Sequence, residues 1–397
     1  MQTLTSCGAG PRGFCGQLRI LFAALCSLLP LLAQETGVGF SVPLTITAGA
    51  MHTHRLQSQD QTAGPLAAAF RTMFYPTLKL GSHWRASASI QVSSSPFFYF
   101  ESYSAERELK AKIIQGYLGY TRSGLKNSIT VKAGQLLTAF GSYPLRYDDE
   151  TNALIGAPLS YGSAEYGNFP ITLYGQPGIE VDGNLNRLDA RLQLVNSSPG
   201  NAQNLLSSQQ HLNWVAGAGY SIRQGFRVGA SVYHGPYLIP GGRFLRLDED
   251  PRDWPNTAVG VDVQWARGHW STTGEWQHVN YPYPRYIISP SLNFGYVEIK
   301  RTLHPRLYAA ARLGYNTYTL FQRNGMPGPL PLRPTRQDYE FVAGYRLNRS
   351  QLLKMGYQVL HRNGVPGTGE NIFGVQLVTS LEPLSKTFHR TGSQYPR

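Results

Sequence analysis

The chain has 397 residues and a formal net charge of +13 at pH 7; it is 12% aromatic and only 15% charged. An ordinary soluble domain is roughly 25% charged. After residue 33 there is no Cys and no apolar run of the ~18 residues a membrane helix requires, which excludes a disulfide-stapled secreted domain and a helical membrane protein.

Residues 1–33 read as a secretory signal peptide. Arg12 and Arg19 precede an apolar run from Ile20 to Ala33, which gives way to Gln34 and Glu35. Cys7, Cys15 and Cys26 all lie inside this leader, and Leu25 before Cys26 is too bulky for a lipoprotein signal. The basic charge could point to nucleic acid, but no Lys/Arg run of five or more exists, and an exported chain does not meet nucleic acid. Its expected partners are outer-membrane lipid and lipopolysaccharide.

From residue 37 onward the pattern has period two. Val259, Val261, Val263 and Trp265 alternate with Gly260, Asp262 and Gln264; Leu188, Ala190, Leu192 and Leu194 alternate with Asp189, Arg191 and Gln193. Successive strand side chains point to opposite faces, so each segment has one apolar and one polar wall. Sixteen such segments follow one another, at 37–50, 66–80, 84–95, 111–122, 127–140, 170–184, 187–197, 211–222, 226–236, 257–266, 269–280, 286–300, 305–319, 337–347, 351–362 and 370–381. The twelfth changes phase near Tyr296-Val-Glu298, so its faces are not assigned.

Short Gly/Asn/Ser/Pro connections alternate with long ones, the asymmetry of outer-membrane barrels with periplasmic turns and external loops. The fold expected is all-β: a transmembrane antiparallel up-and-down β-barrel of about 16 strands, with 14–18 as the range. The domain reading is leader 1–33, barrel 34–382 and periplasmic C-terminal tail 383–397. The localisation expected is the outer membrane of a Gram-negative-type envelope. Trp84, Trp214, Trp265, Trp270 and Trp276 fall on or beside apolar faces and are candidates for an aromatic girdle.

A barrel of this size leaves an aqueous lumen, and its polar faces would line it. That wall would carry the bases Arg71, Lys79, Arg85, Lys132, Arg191, Arg227, Arg306, Arg312, Arg346, Lys354 and Arg362. Facing them would be Glu180, Asp182, Asp189, Asp262, Glu275 and Glu340. The excess of bases makes anion preference an expectation, with neutral cross-strand pairing as the alternative. The longest connection, 141–169, is too apolar for a disordered segment. It is expected to fold into the lumen, with Arg146, Asp148, Asp149 and Glu150 as constriction candidates.

The strand that leads into this loop reads Val131-Lys-Ala-Gly-Gln-Leu-Leu-Thr-Ala-Phe-Gly141. It resembles the Gly-Gln/Arg-Phe-x-x-Pro-Phe-Gly strand ending of porins in the phosphate-selective and carbohydrate-porin-like group, over about a dozen residues. In that group the motif leads into an inward loop, so the resemblance implies a porin for small hydrophilic solutes. Ala139 stands where the group usually has Pro, and no lysine ladder can be placed, so phosphate specificity does not carry over. Such barrels also end on an aromatic residue, whereas this chain continues through Pro383 to Arg397.

Two other classes compete with a passive channel. An outer-membrane lipase or protease would be a barrel too, but there is no Gly-x-Ser-x-Gly elbow and no His-Glu-x-x-His pattern. His52-Thr-His54 could bind a metal weakly but reads first as a solvated loop pair, and Asp248-Glu-Asp250 with Asp253 lacks the ligand spacing and Gly turn of a calcium loop. No catalytic residue, metal or cofactor is expected. The other class is a barrel whose external loops bind a partner or ligand; the segments Tyr233–Tyr237 and Tyr281–Tyr286 could stack on sugars. A homotrimer is one assembly to test.

Overall fold

In the computed structural model, residues 37–53, 66–95, 108–146, 148–162, 176–196, 212–242, 244–331, 335–363, 370–381 and 386–388 are described. Residues 1–33, the expected leader, lie outside them. The wall of the barrel has sixteen strands. β1 is built from Val38–Ser41 and Leu44–Thr53, and β2 from Leu66–Phe74 and Thr77–Leu80. Then come β3 (Trp84–Ser95), β4 (Glu108–Ser123), β5 (Asn127–Leu136), β6 (Gln176–Leu185), β7 (Leu188–Val195) and β8 (Asn213–Arg223). The circuit continues with β9 (Phe226–Pro236), β10 (Pro255–Arg267), β11 (Trp270–Asn280) and β12 (Ser291–His304). It ends with β13 (Leu307–Tyr318), β14 (Arg336–Arg346), β15 (Gln351–Arg362) and β16 (Glu370–Leu381).

Every strand pairs antiparallel with the next, and β16 pairs with β1 from Leu44↔Leu381 to Thr53↔Ile372, which closes the sheet. Closure satisfies every ladder and leaves no edge, the condition for a sheet to cross lipid. The tight turns carry residues that tolerate positive φ, such as Asn186 (53°), Gly225 (75°) and Gly268 (58°). Lys386–Phe388, part of the expected tail, pair with Val38–Phe40 and continue the wall beside β1.

The outer face is apolar. Phe341, Val297, Val261 and Leu194 are each more than half exposed, while the alternate positions Glu340, Glu298, Asp262 and Gln193 point inward. An exposed belt of this size matches lipid, not water. All five singled-out Trp lie on outward positions. Trp84, Trp265 and Trp270 are near the short turns, Trp214 is at the opposite rim, and Trp276 is higher up β11.

Two boundaries among the described residues differ from expectation by more than three positions, and each has a cause; 170–175, the expected start of β6, lie outside the described residues. β5 ends at Leu136 rather than 140, because Leu137–Gly141 turns into the lumen. The segment Tyr286–Ile288 leaves the wall to pair with Leu320–Arg323, so β12 starts at Ser291. β12 has one phase throughout: Leu292, Phe294, Tyr296 and Glu298 all face inward. Its sequence looks mixed because the upper inward positions are apolar. They join an interior cluster with Val215, Tyr233 and Val279 and the loop residues Tyr237, Tyr281 and Tyr283. Tyr233, Tyr237 and Tyr281 are nearly inaccessible, and Tyr237 Oη donates to the carbonyl of Pro282 at 2.7 Å. Four of the rings proposed to stack on sugars, Tyr233, Tyr237, Tyr281 and Tyr283, are therefore core, while Tyr286 is half-buried.

Candidate functional site

The site is the segment 137–162, which lies inside the barrel. Its start is fixed strand by strand. The Ala139 N–H donates to Gln193 Oε1 on β7 at 2.9 Å, and the Gly141 N–H to Ser231 Oγ on β9 at 3.1 Å. Gly141 has φ +73°, and a Cβ there would collide with Tyr161 and Glu275, so the chain can bend here only with glycine. The inward Gly260 on β10 leaves the space for Phe140: an added Cβ would come 3.1 Å from that ring.

The next turn, Tyr143–Arg146, reaches β12. Arg146 is ion-paired with Glu298 and donates to Tyr296 Oη at 3.0 Å. Asp148 accepts from Tyr75 Oη. Asp149 is buried against β1 and β2, ion-paired with Arg71 and accepting from Thr47 Oγ1 at 2.7 Å. The Lys354 ammonium on β15 donates to the carbonyls of Asp149 (2.5 Å), Asn152 (2.8 Å) and Leu154 (3.2 Å).

The innermost turn is held by a charge cluster on β12–β14. Glu340 Oε1 accepts the N–H groups of Ile155 and Gly156, both at 2.9 Å, and its Oε2 accepts from Arg312 Nη2 at 2.5 Å. Arg312 also donates to the Gly156 carbonyl at 3.0 Å and faces Asp338 (3.3 Å) and Glu298 (3.4 Å). Its side chain is 0% exposed, so the guanidinium is tolerable only because carboxylates surround it. Returning across the lumen, Tyr161 Oη donates to Glu275 Oε1 at 2.5 Å. Burial, then the Glu275 charge, pushes the Tyr161 phenol well above its ordinary value, which keeps it a donor.

For Asp149, burial alone would raise the pKa, but Arg71 and Lys354 and the hydrogen bonds from Thr47 and Arg71 outweigh it and hold it below the ordinary 3.8. A depressed carboxylate contributes stability above its unfolded pKa and loses it as pH falls through the folded value. The tether to β1 and β2 is therefore expected to persist from pH 7 to about pH 4 and to weaken only below 3.8. Channel recordings on an acid series check this: Asp149→Asn should show at pH 7 the extra noise that the unaltered chain shows only in strong acid.

The sequence candidates fall into separate places. Arg146, Asp148, Asp149, Glu275, Arg312 and Glu340 are brought together by the loop. Glu150 is exposed, its N–H on Asp148 Oδ1 at 2.8 Å. Lys132 forms its own group with Glu180 (2.6 Å) and Asp182, as does Arg227 with Asp189 (2.6 Å) and Asp262 (2.7 Å). Arg85 stands opposite Lys79 near the short turns, and Arg346 lies at the same end of β14. Tyr296, Glu298 and Asp338 belong to the site without having been marked by the sequence pattern, and Gln193 and Ser231 lay on polar faces without being singled out. A fixed phase for β12 would have found Glu298.

A cavity of about 290 Å³ remains between the loop and the wall of β2–β7. Tyr75, Leu137, Pro144 and Asp148 border it on one side, and Gln115, Tyr117, Lys132, Glu180 and Arg191 on the other.

These features define a closed, up-and-down β-barrel with an apolar exterior and a chain segment folded inside it. No protein-family model and no curated protein matches the sequence. Solved structures do match the fold. OprB of Pseudomonas putida at high pH superimposes with a TM-score of 0.58 at 12% identity, covering 91% of this chain and 97% of that one. The outer-membrane channel DcaP of Acinetobacter baumannii gives 0.56 at 12% identity, covering 87% and 98%. Salmonella typhi OmpF in complex with daunomycin gives 0.57 at 11% identity, covering 85% and 97%. The chain thus has the fold of outer-membrane barrels of this kind.

Proposed function

We propose that this protein is a porin-like channel in the outer membrane of a Gram-negative-type envelope, through which small hydrophilic solutes diffuse passively. Residues 1–33 export it and 34–382 form the barrel, with a tail from 383. The outward Trp residues sit at the lipid–water boundaries, among lipid and lipopolysaccharide. The observation that carries the reading is the loop itself. Its described part, within the expected constriction 141–169, is tied to inward side chains of β1, β2, β9 and β11–β15, and the cavity of about 290 Å³ stays open beside β2–β7. A segment so fixed narrows a lumen without sealing it.

Anion preference reads as weak. The wall bases Arg71, Lys132, Arg227 and Arg312 are each bound to carboxylates, and the passage is bordered by Lys132 and Arg191 but also by Asp148 and Glu180. The reading with ligand-binding external loops loses most of its aromatic platform, since four of those rings are buried.

The test is conductance of the refolded chain in a planar bilayer under a salt gradient, with and without residues 147–163. Discrete steps, a reversal potential slightly favouring chloride, and a severalfold larger step after the deletion are expected. An unchanged step would remove the loop from the pore; no steps from a folded barrel would remove the channel.

A further inference from the structure

Below the loop, at the end of the barrel with the short turns, lies a second cavity of about 200 Å³. Its ceiling is Glu150–Ala153, and its wall comes from β12–β15. Lys300, Arg306 and Arg346 converge on it with His304, and Glu150 is its one carboxylate. Lys300 Nζ lies 4.4 Å from the centre of the Tyr308 ring, whose Oη donates to the Ala153 carbonyl at 3.0 Å. The Arg346 guanidinium donates to the backbone carbonyl of Arg349 at 3.3 Å.

Five other bases of the lumen are neutralised differently. Arg71, Lys132, Arg146, Arg227 and Arg312 all meet carboxylates, whereas none of Lys300, Arg306 and Arg346 is ion-paired among the described residues. Crowding three cations around one recess costs Coulomb energy, against which the lining sets one carboxylate, Glu150, and the Tyr308 ring. A multiply charged anion would offset it through charge-assisted hydrogen bonds to two guanidinium groups and an ammonium. The recess is smaller than the ~300–1,000 Å³ of drug-sized sites, so it suits a compact anion.

We propose that this recess binds a small polyvalent anion, of phosphate or polycarboxylate type, arriving from the short-turn side. Binding is read on the refolded full chain in detergent by titration calorimetry, with inorganic pyrophosphate and citrate as separate probes. The site therefore stands or falls independently of conduction. One saturable site per barrel is expected, weakened by about tenfold or more in Lys300→Gln and Arg346→Gln. Which probe binds tighter separates the phosphate from the carboxylate source. Arg306→Gln, on an exposed turn, supplies the same reading if either wall variant fails to fold. Lys79→Gln and Arg85→Gln, at the same end but outside the recess, should bind as the parent does. Absence of saturable binding of both probes, or equal losses in those two controls, would overturn the site.

Discussion

Arg312→Met is expected to cost the barrel about 3–5 kcal/mol of stability, the usual effect of removing one partner from a buried ionic cluster. Methionine fills the space but supplies no donor. Glu298, Asp338 and Glu340 would then face one another across the inner wall, with Arg146 on Glu298 as the remaining guanidinium. The Gly156 carbonyl would also lose its charged donor and keep only the Asn152 amide at 3.2 Å. The double variant Arg312→Met, Glu340→Gln should recover much of the loss. The amide oxygen placed at position 340 still accepts from Ile155 and Gly156, while one charge is gone. Urea midpoints of the refolded chain in lipid vesicles, followed by Trp fluorescence, measure both. A loss below about 1 kcal/mol, the size of a surface pair, would mean that the cluster does not hold the loop.

Lys354→Met acts on the loop more than on the barrel. The ammonium is fully enclosed and answers three carbonyls within six residues, 149–154. Each orphaned acceptor costs about 1–3 kcal/mol while it stays buried. The turn avoids that cost by leaving the wall for water, so a loop-out state becomes populated instead of an unfolded one. Trypsin should then cut after Arg146 much faster than in the parent, with the wall still intact, and single channels should acquire a larger, noisy level. Equal cleavage half-lives would refute the tether.

The wall was legible in the sequence, and the interior was legible only in part. Period two along Val259–Trp265 assigns faces residue by residue, and positive-φ residues mark the turns, so β9, β15 and β16 fall where the alternation ends. The apolar inward face of upper β12 broke the rule because its neighbours are aromatic loops, not water. The loop's partners were out of reach for another reason. Lys354 and Asp149 are 205 positions apart, and Ala139 and Gln193 are 54 apart. Alternation says that Glu340 points inward, but nothing local says that it meets the amides of Ile155 and Gly156. The acids Asp148 and Asp149 were visible as a pair, yet only the fold divides them, one to Tyr75 and the other to Arg71.

The loop spans the join where the circle of strands is completed. Ile155 lies over Gly356 on β15 and Gly374 on β16, while Asp149 reaches Thr47 on β1 and Arg71 on β2. The pairing of Leu44 with Leu381 joins the two ends of the barrel sequence, and contacts of such separation form late and slowly. Most of the loop's footholds, on β9 and β11–β15, belong to strands made after it, so it cannot seat before that last zipper has run. Once seated, it works as an internal staple across the line where the cylinder closes. A protected Arg146 then certifies that the barrel has finished assembling, and any variant that delays ring closure should be detected first as a loop open to protease.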